Sequence, residues 1–333
     1  MIQEHILSAF EKFKSQTILV IGDVILDAYC RGIVNRISPE APVPILDVKS
    51  KEYRLGGAAN VALNVHGMGA KPILCSVIGQ DFGADQVMRL LSDQELSTAG
   101  IIQSKSRITG VKTRLMSHHH QLLRMDEEQT DLLENHDKDL LKNNILRLIE
   151  SEKPDAIIFE DYDKGIIDPE IISAIIGKAK AQGIVVSVDP KKRNFFNYAG
   201  ATLFKPNMRE LIEGLSIQDL KSSRKDLQKA FSVLIQKMPV EMAFFTLSAE
   251  GVFITDGKDD HHIAAHKRNI ADVSGAGDTV ISVATCALAA KLTMQDIAYL
   301  SNLAGGYVCQ FPGVVAIDAA ELKAEFQKTI SAK

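Results

Sequence analysis

Tryptophan is absent from the chain, and aromatic residues make up only 6% of it. Cysteine is scarce too: Cys30, Cys75, Cys286 and Cys309 lie far apart, and no Cys-x-x-Cys occurs. That pattern excludes a disulfide framework and a cysteine-based zinc site. No apolar stretch approaches the length of a bilayer span, and the N-terminus lacks the apolar core of a signal peptide. Residues 1–14 instead place Ile6, Leu7, Phe10 and Phe13 at helical spacing among charges of both signs. A surplus of either charge is also missing: 38 basic against 42 acidic residues leave a net charge of −4. With no basic stripe and no aromatic–basic interleaving, a nucleic-acid partner is excluded as a reading. Low-complexity tracts and fixed-period repeats are absent. The expectation is a cytoplasmic globular enzyme without a membrane partner. Its 333 residues suffice for one large α/β domain with an appendage, or for two ordinary domains.

What is present is alternation. Residues 17–22, 72–79, 156–159, 184–188, 202–204 and 243–247 read as short buried strands, with helical patterns between them and a short return at 251–255. Strands alternating with helices make a mostly parallel sheet covered on both faces. Polar clusters recur just past the strand ends, where such a sheet places its ligands. They include Asp23, Glu160 to Gly165, Asp189 to Lys192, Lys205 to Glu210, and Thr246 to Gly251. Asp23 and Asp27 then face a cleft, although capping or turn formation is their plainer role. Two extended patches, 31–55 and 105–125, break the alternation and read as one small β lid inserted twice over the cleft. His118-His119-His120 invites a metal reading, but adjacent strand residues point to opposite faces. An exposed turn fits better, there and at His261-His262.

The most informative stretch is Asp272-Val273-Ser274-Gly275-Ala276-Gly277-Asp278-Thr279, followed by an apolar run at 280–290 that reads as a buried helix. Gly275 and Gly277 around Ala276 allow a tight turn with exposed amides at the positive end of that helix, a place for an anion such as a phosphate. A carboxylate at Asp278 repels a bound anion unless it does chemistry. It can take a proton from a hydroxyl attacking phosphorus; a helix cap is the plainer alternative. Gly56-Gly57-Ala58-Ala59-Asn60 is a second small-residue stretch, where a ligand can approach the backbone and Asn60 offers donor and acceptor.

Together these residues resemble the ribokinase-like (PfkB) carbohydrate kinases along essentially the whole chain. Gly56 to Asn60, Asn207-Met208-Arg209-Glu210 and Asp272 to Asp278 match the family's signatures in order. Within it the chain is similar to the heptose-7-phosphate kinase branch. Gly22 to Asp27, Arg36 to Pro44, Lys112-Thr113-Arg114, Gln121 to Asp126 and Asp161 to Gly165 carry that likeness. The resemblance implies a single ribokinase-like domain over 1–333: a three-layer α/β fold with a mostly parallel central sheet, plus the β lid. It implies ATP-dependent phosphorylation of the anomeric hydroxyl of D-glycero-β-D-manno-heptose 7-phosphate, a step of ADP-heptose biosynthesis.

On that resemblance Asp278 is the base, and the amides of Gly275, Ala276 and Gly277 form the anion hole. Asn207 and Glu210 organise Mg²⁺ through water, while Thr246, Ser248, Gly251 and Asn302 line the nucleotide pocket. Asp23, Asp27, Gly56, Gly57, Asn60 and Asp161 lie on the sugar side. Arg114, Arg124 and Lys164, with Lys191 a lesser candidate, hold the distal phosphate. A homodimer through the open lid edges is implied as well. The chain departs from the branch at Glu160, where Ser is usual, and at Cys309 to Val314, where Gly-Lys-x-Gly-Thr is usual. Nucleotide contacts and monovalent-cation dependence are therefore not carried over for that segment. Relatives are often fused to a cytidylyltransferase; with the chain ending at Lys333, a kinase alone is expected. The alternatives are a PfkB kinase for fructose, ribose or a nucleoside, and a non-catalytic sugar- or nucleotide-binding regulator. A dinucleotide-dependent dehydrogenase is disfavoured, since Gly22-Asp23 stands where Gly-x-Gly-x-x-Gly is needed.

Overall fold

The structure, a computed structural model, describes residues 2–118, 120–266 and 268–331. Its strands in chain order are β1 (Thr17–Gly22), β2 (Val24–Ile37), β3 (Pro44–Gly57), β4 (Lys71–Ile78), β5 (Ile101–Gln103), β6 (Gly110–Ser117) and β7 (His120–Glu127). They continue with β8 (Ala156–Glu160), β9 (Val185–Asp189), β10 (Leu203–Phe204), β11 (Met242–Thr246), β12 (Val252–Thr255) and β13 (Asp260–Ile263). Nine of them form one sheet in the order β13-β12-β11-β10-β9-β8-β1-β4-β5. All its pairings are parallel except β11 with β12 and β12 with β13.

The continuous apolar runs explain the layering. Ile18 and Val20 of β1 enter one core, and Leu19 and Ile21 enter another. Ala156 and Ile158 of β8 divide in the same way from Ile157 and Phe159. A strand that is apolar at every position needs cover on both faces. Helices Asn135–Glu152, Pro169–Gln182, Met208–Leu215 and Arg224–Lys237 supply it on one side. Helices Ile2–Phe13, Ala58–Gly67, Phe82–Asp93, Ala276–Ala289, Met294–Val308 and Ala319–Ser331 supply it on the other. Local chemistry sets the helix ends. Asp168 caps Pro169–Gln182 by accepting from the Ile171 amide, Pro169 occupies the first turn, and Gly183 closes the helix in the left-handed region. Among the described residues no helix is long and apolar enough to cross a membrane.

The second, smaller sheet, in the order β3-β2-β6-β7, contains the two extended patches expected to form a lid. Its strands extend beyond the two patches read from the sequence: β2 begins at Val24, directly after Asp23, and β3 returns to Gly57 opposite it. The chain therefore leaves the main sheet at Asp23 and re-enters it at Gly57, so both crossing points lie at the carboxyl end of β1. His118 is an exposed turn residue with φ 53° and His120 opens β7, while His119 lies outside the described residues. His261 and His262 correct the reading of an exposed turn. They belong to edge strand β13, where a ring nitrogen of His262 lies 3.0 Å from the Glu250 carbonyl.

Phe159 is fully buried, with its ring 5.6 Å from that of Tyr198. Phe159→Ala is expected to lower the unfolding free energy by about 3–5 kcal/mol, read as a shift of the urea midpoint. A loss below about 1 kcal/mol would show that this face of the sheet is not packed against its helices.

Candidate active site

The helix Ala276–Ala289 is buried along most of its length, so its N-terminus is fixed by packing. Gly275 precedes it with φ 79°, a left-handed conformation that glycine adopts without a Cβ penalty, and no side chain caps the helix. First-turn amides of a helix have no intrahelical partners. Here they open into a cavity of about 860 Å³. Helix Ala58–Gly67 supplies the polar seam that seats this end. Asn60 Nδ2 donates to Asp278 Oδ2 at 2.6 Å, and the Thr279 hydroxyl donates to Asn64 Oδ1 at 2.8 Å. Asn64 Nδ2 in turn donates to the Asn60 carbonyl one turn earlier.

Asp278 is 6% exposed and also accepts from the Tyr162 hydroxyl at 3.0 Å. Burial pushes its pKa up to about 6; Asp189 adds to the rise, while the bonds from Asn60 and Tyr162 and the charge of Lys205 oppose it. A carboxyl held above its usual range contributes stability at low pH that is lost as pH rises through about 6. Two further acids close the group: Glu160, Asp189 and Asp278 each bring an oxygen within 4.8 Å of the others. Lys205, itself buried, pairs with Asp189 at 2.7 Å. Glu160 Oε2 is buried and, among the described residues, has no hydrogen-bond partner. Burial, then Asp189 and Asp278, raise the Glu160 pKa well above the carboxylate range.

The cavity wall brings together Asn207, Glu210, Thr246, Ser248, Gly251, Asn302, Gly275, Ala276, Gly277 and Asp278. Asn302 is tied by its Nδ2 to the Ala264 carbonyl at 2.8 Å. Asn207 and Glu210, expected to organise the metal through water, also have a local structural role. They form a capping box at the start of helix Met208–Leu215, and the second Glu210 oxygen takes Lys191. Sequence position reports both uses alike, because Asn-x-x-Glu is also a helix-start pattern.

The sugar-side residues divide. Asp27 pairs with Arg114 across β2 and β6. A Cβ on Gly56 would lie 2.3 Å from Asp27 Oδ2, so glycine there makes room for this carboxylate. Gly57 and Asn60 border the same space. Asp23 and Asp161, expected on the sugar side, also hold neighbouring backbone and side chains in place. Asp23 accepts from the amides of Tyr162, Lys164 and Ile166, and Asp161 from Asn194, Tyr198 and the Asp163 amide. With their oxygens so engaged, they anchor the loop that carries Tyr162. The Arg124 side chain is half exposed and holds Asp126 through two bonds, at 2.9 and 3.0 Å. Lys164 reaches Glu128 at 2.6 Å.

Tyr162, Asp189, Lys205 and Lys112 lie in stretches noted in the sequence but were given no role there, and Asn64 was not noted at all. Three of the five were within reach of one rule: Tyr162, Asp189 and Lys205 stand at or just past the ends of β8, β9 and β10. The segment 309–314 bridges cavity and lid. The Cys309 carbonyl accepts from the Ala271 and Asp272 amides, the Gly313 amide donates to Asp272, and Val314 accepts from Arg54.

Known proteins resemble this chain in sequence and fold. Residues 15–320 match the family described as pfkB family carbohydrate kinase. The bifunctional protein HldE of Methylobacillus flagellatus is 40% identical over 315 residues, covering 95% of this chain and 64% of that protein. HldE of Caulobacter vibrioides is 38% identical over 314 residues, covering 94% and 64%. The chain thus spans about 64% of the length of these curated relatives. Among solved structures, phosphofructokinase-2 from Escherichia coli, in complex with substrates and products, superposes with a TM-score of 0.76 at 17% identity, covering 94% of this chain and 98% of that one. Arabidopsis thaliana ribokinase, complexed with ribose and ATP, gives 0.73 at 14% identity, covering 94% and 99%. The chain belongs to the pfkB family of carbohydrate kinases, phosphotransferases that act on a sugar hydroxyl, and its fold is ribokinase-like.

Proposed function

We propose that this kinase transfers the terminal phosphoryl group of ATP to the anomeric hydroxyl of D-glycero-β-D-manno-heptose 7-phosphate, in the cytoplasm, giving the 1,7-bisphosphate and ADP. The observation that carries the reading is Asp278: a desolvated carboxylate, oriented by Asn60 and Tyr162, beside uncapped helix amides at the mouth of a nucleotide-sized cavity. The choice of sugar rests on the HldE relatives and the residues shared with the heptose-7-phosphate kinase branch.

In this reading the sugar hydroxyl lies against Asp278, which takes its proton as the oxygen attacks phosphorus. Amides of Gly275, Ala276 and Gly277 stabilise charge on the transferring phosphoryl oxygens. Lys191 and Lys205, held by Glu210 and Asp189, add fixed positive charge beside the same space. Both Asp278 oxygens already accept a hydrogen bond, which orients the carboxylate and leaves a second lone pair on each.

The donor set fits Mg²⁺. Carboxylate oxygens suit a hard dication, and the orphaned Glu160 oxygen beside Asp189 is the open position in the group. Glu160 and Asp189 would hold the ion, which when bound supplies positive charge for the phosphate oxygens. The second subunit is proposed for the outer face of the lid. A pocket of about 460 Å³ there is lined by Leu26, Ala28, Phe82, Leu115 and Met125, with Leu122 and Leu123 exposed nearby on β7. Light scattering on Leu123→Glu is expected to show a dimer reduced to monomer; an unchanged mass would place the contact elsewhere.

Asp278→Asn is expected to lower turnover on heptose 7-phosphate by about 10²- to 10⁴-fold with little change in nucleotide affinity. ADP release is the readout, compared across heptose 7-phosphate, fructose, ribose and nucleosides. Preference for an unphosphorylated sugar would overturn the substrate assignment. Because the base must be ionised, kcat/KM should fall as pH drops through about 6. For the metal, Glu160→Gln should weaken Mn²⁺ binding, followed by electron paramagnetic resonance without substrates, by about 10- to 100-fold. An unaltered titration would return the ion to Asn207 and Glu210.

A further inference from the structure

The lid turns one face toward the cleft, and its cations can be compared there. Register places Asp27, Tyr29 and Arg31 of β2 on this face with Lys112 and Arg114 of β6 and Arg124 of β7. Arg31 and Arg54 share Glu52, Arg114 holds Asp27, and Arg124 holds Asp126. Lys112 differs: among the described residues no carboxylate lies within ion-pair distance of its ammonium. It faces the ring of Tyr162 at 5.9 Å, and Lys191 approaches the same ring at 5.4 Å. The hydroxyl of that ring donates to Asp278. Lys112 therefore stands across the acceptor space from Asp278, on the side of the smaller sheet.

The electrostatics of this position ask for an anion. Burial, and then the neighbouring charge of Lys164, lower the Lys112 pKa, and Glu128, Asp126 and Asp27 only partly offset them. Glu128 is already committed to Lys164. Two ammonium groups thus face one half-buried space in which only one has a direct counter-ion.

We propose that Lys112, on the cleft face of this sheet and without a carboxylate partner among the described residues, forms with Lys164 the subsite for the phosphate carried by the acceptor sugar, and that its unpaired charge is what rejects an unphosphorylated sugar. The inference rests on the reading of the acceptor as a sugar phosphate and names the residues that would enforce it. A neutral sugar closing the cleft buries both charges further and leaves Lys112 unpaired, a cost that falls on the wrong substrate. A phosphate dianion pairs with both and removes it. Arg124, bound in two places by Asp126 and half exposed, has no comparable deficit.

The test uses Lys112→Met, which keeps the length and apolar stem but not the charge, and Lys112→Arg, which keeps the charge. Lys112→Met is expected to raise KM for heptose 7-phosphate by about 10- to 100-fold, as for a lost charge-assisted bond, with KM for ATP unmoved. It should narrow the preference for heptose 7-phosphate over heptose, and Lys112→Arg should recover much of the loss. A raised KM for ATP, or a lowered kcat at unchanged sugar KM, would instead assign Lys112 to the transferring phosphoryl group and overturn the proposal. Wild-type kinetics in Lys112→Met would overturn it too, while leaving the kinase reading intact. Should no sugar phosphate be a substrate of the wild-type protein, that reading fails, and inorganic phosphate decides the subsite. Competition with the accepted sugar, lost in Lys112→Met, supports it, and absence of competition sinks it.

Discussion

Everything at the site depends on how the first turn of helix Ala276–Ala289 is held. The helix is apolar on nearly all sides and cannot shift without breaking a packed core. Its N-terminal amides and Asp278 are therefore presented at a fixed place. The hydrogen bonds from Asn60 and Tyr162 then fix the direction of the carboxylate. Stability and reactivity come from one circumstance, since the burial that locks the helix also raises the Asp278 pKa toward the range where a carboxylate is a useful base.

Around that carboxylate the charges are paired in a chain. Asp189 holds Lys205, Glu210 holds Lys191, and Glu210 also caps the helix it begins. Glu160 is the exception: a buried acid with an orphaned oxygen beside two other carboxylates. An acid in that position is costly as a charge unless a cation or a proton is shared with it. The resulting geometry leaves one buried oxygen of this carboxylate group without a partner among the described residues.

The loop carrying Tyr162 links the two sides of the cleft. Asp23 and Asp161 use their carboxylates to hold its backbone, from below and from the side. Asp23 is also the point where the chain crosses from the main sheet to the lid. The crossing point is therefore joined to Tyr162, the hydrogen-bond partner of Asp278, through a short run of buried hydrogen bonds.

The sequence alone determined the alternation of buried strands and helices, the glycine turn before a buried helix, and the placing of polar clusters past the strand ends. Each is a local pattern whose physics acts within a few residues: apolar at every strand position, glycine where φ is positive, Asp168-Pro169 where a helix starts. Those signals also brought Asp278 and Asn60 into view, whereas Asn302 and the nucleotide-pocket roles came only from the family resemblance. Short edge strands β5 and β13 left no such mark, because three or four residues with polar members carry no clear period. Only the tertiary structure decided which carboxylates are free. Asp23, Asp161, Glu210 and Glu160 all read alike along the chain, as acids near strand or helix ends. Three of them have their oxygens taken by amides, hydroxyls or a lysine, and Glu160 keeps an open one. The same holds for the cations, where Arg124 is occupied by Asp126 and Lys112 has no such partner among the described residues. Whether a charge is available depends on what folds against it from distant parts of the chain, and a linear pattern does not contain those distances.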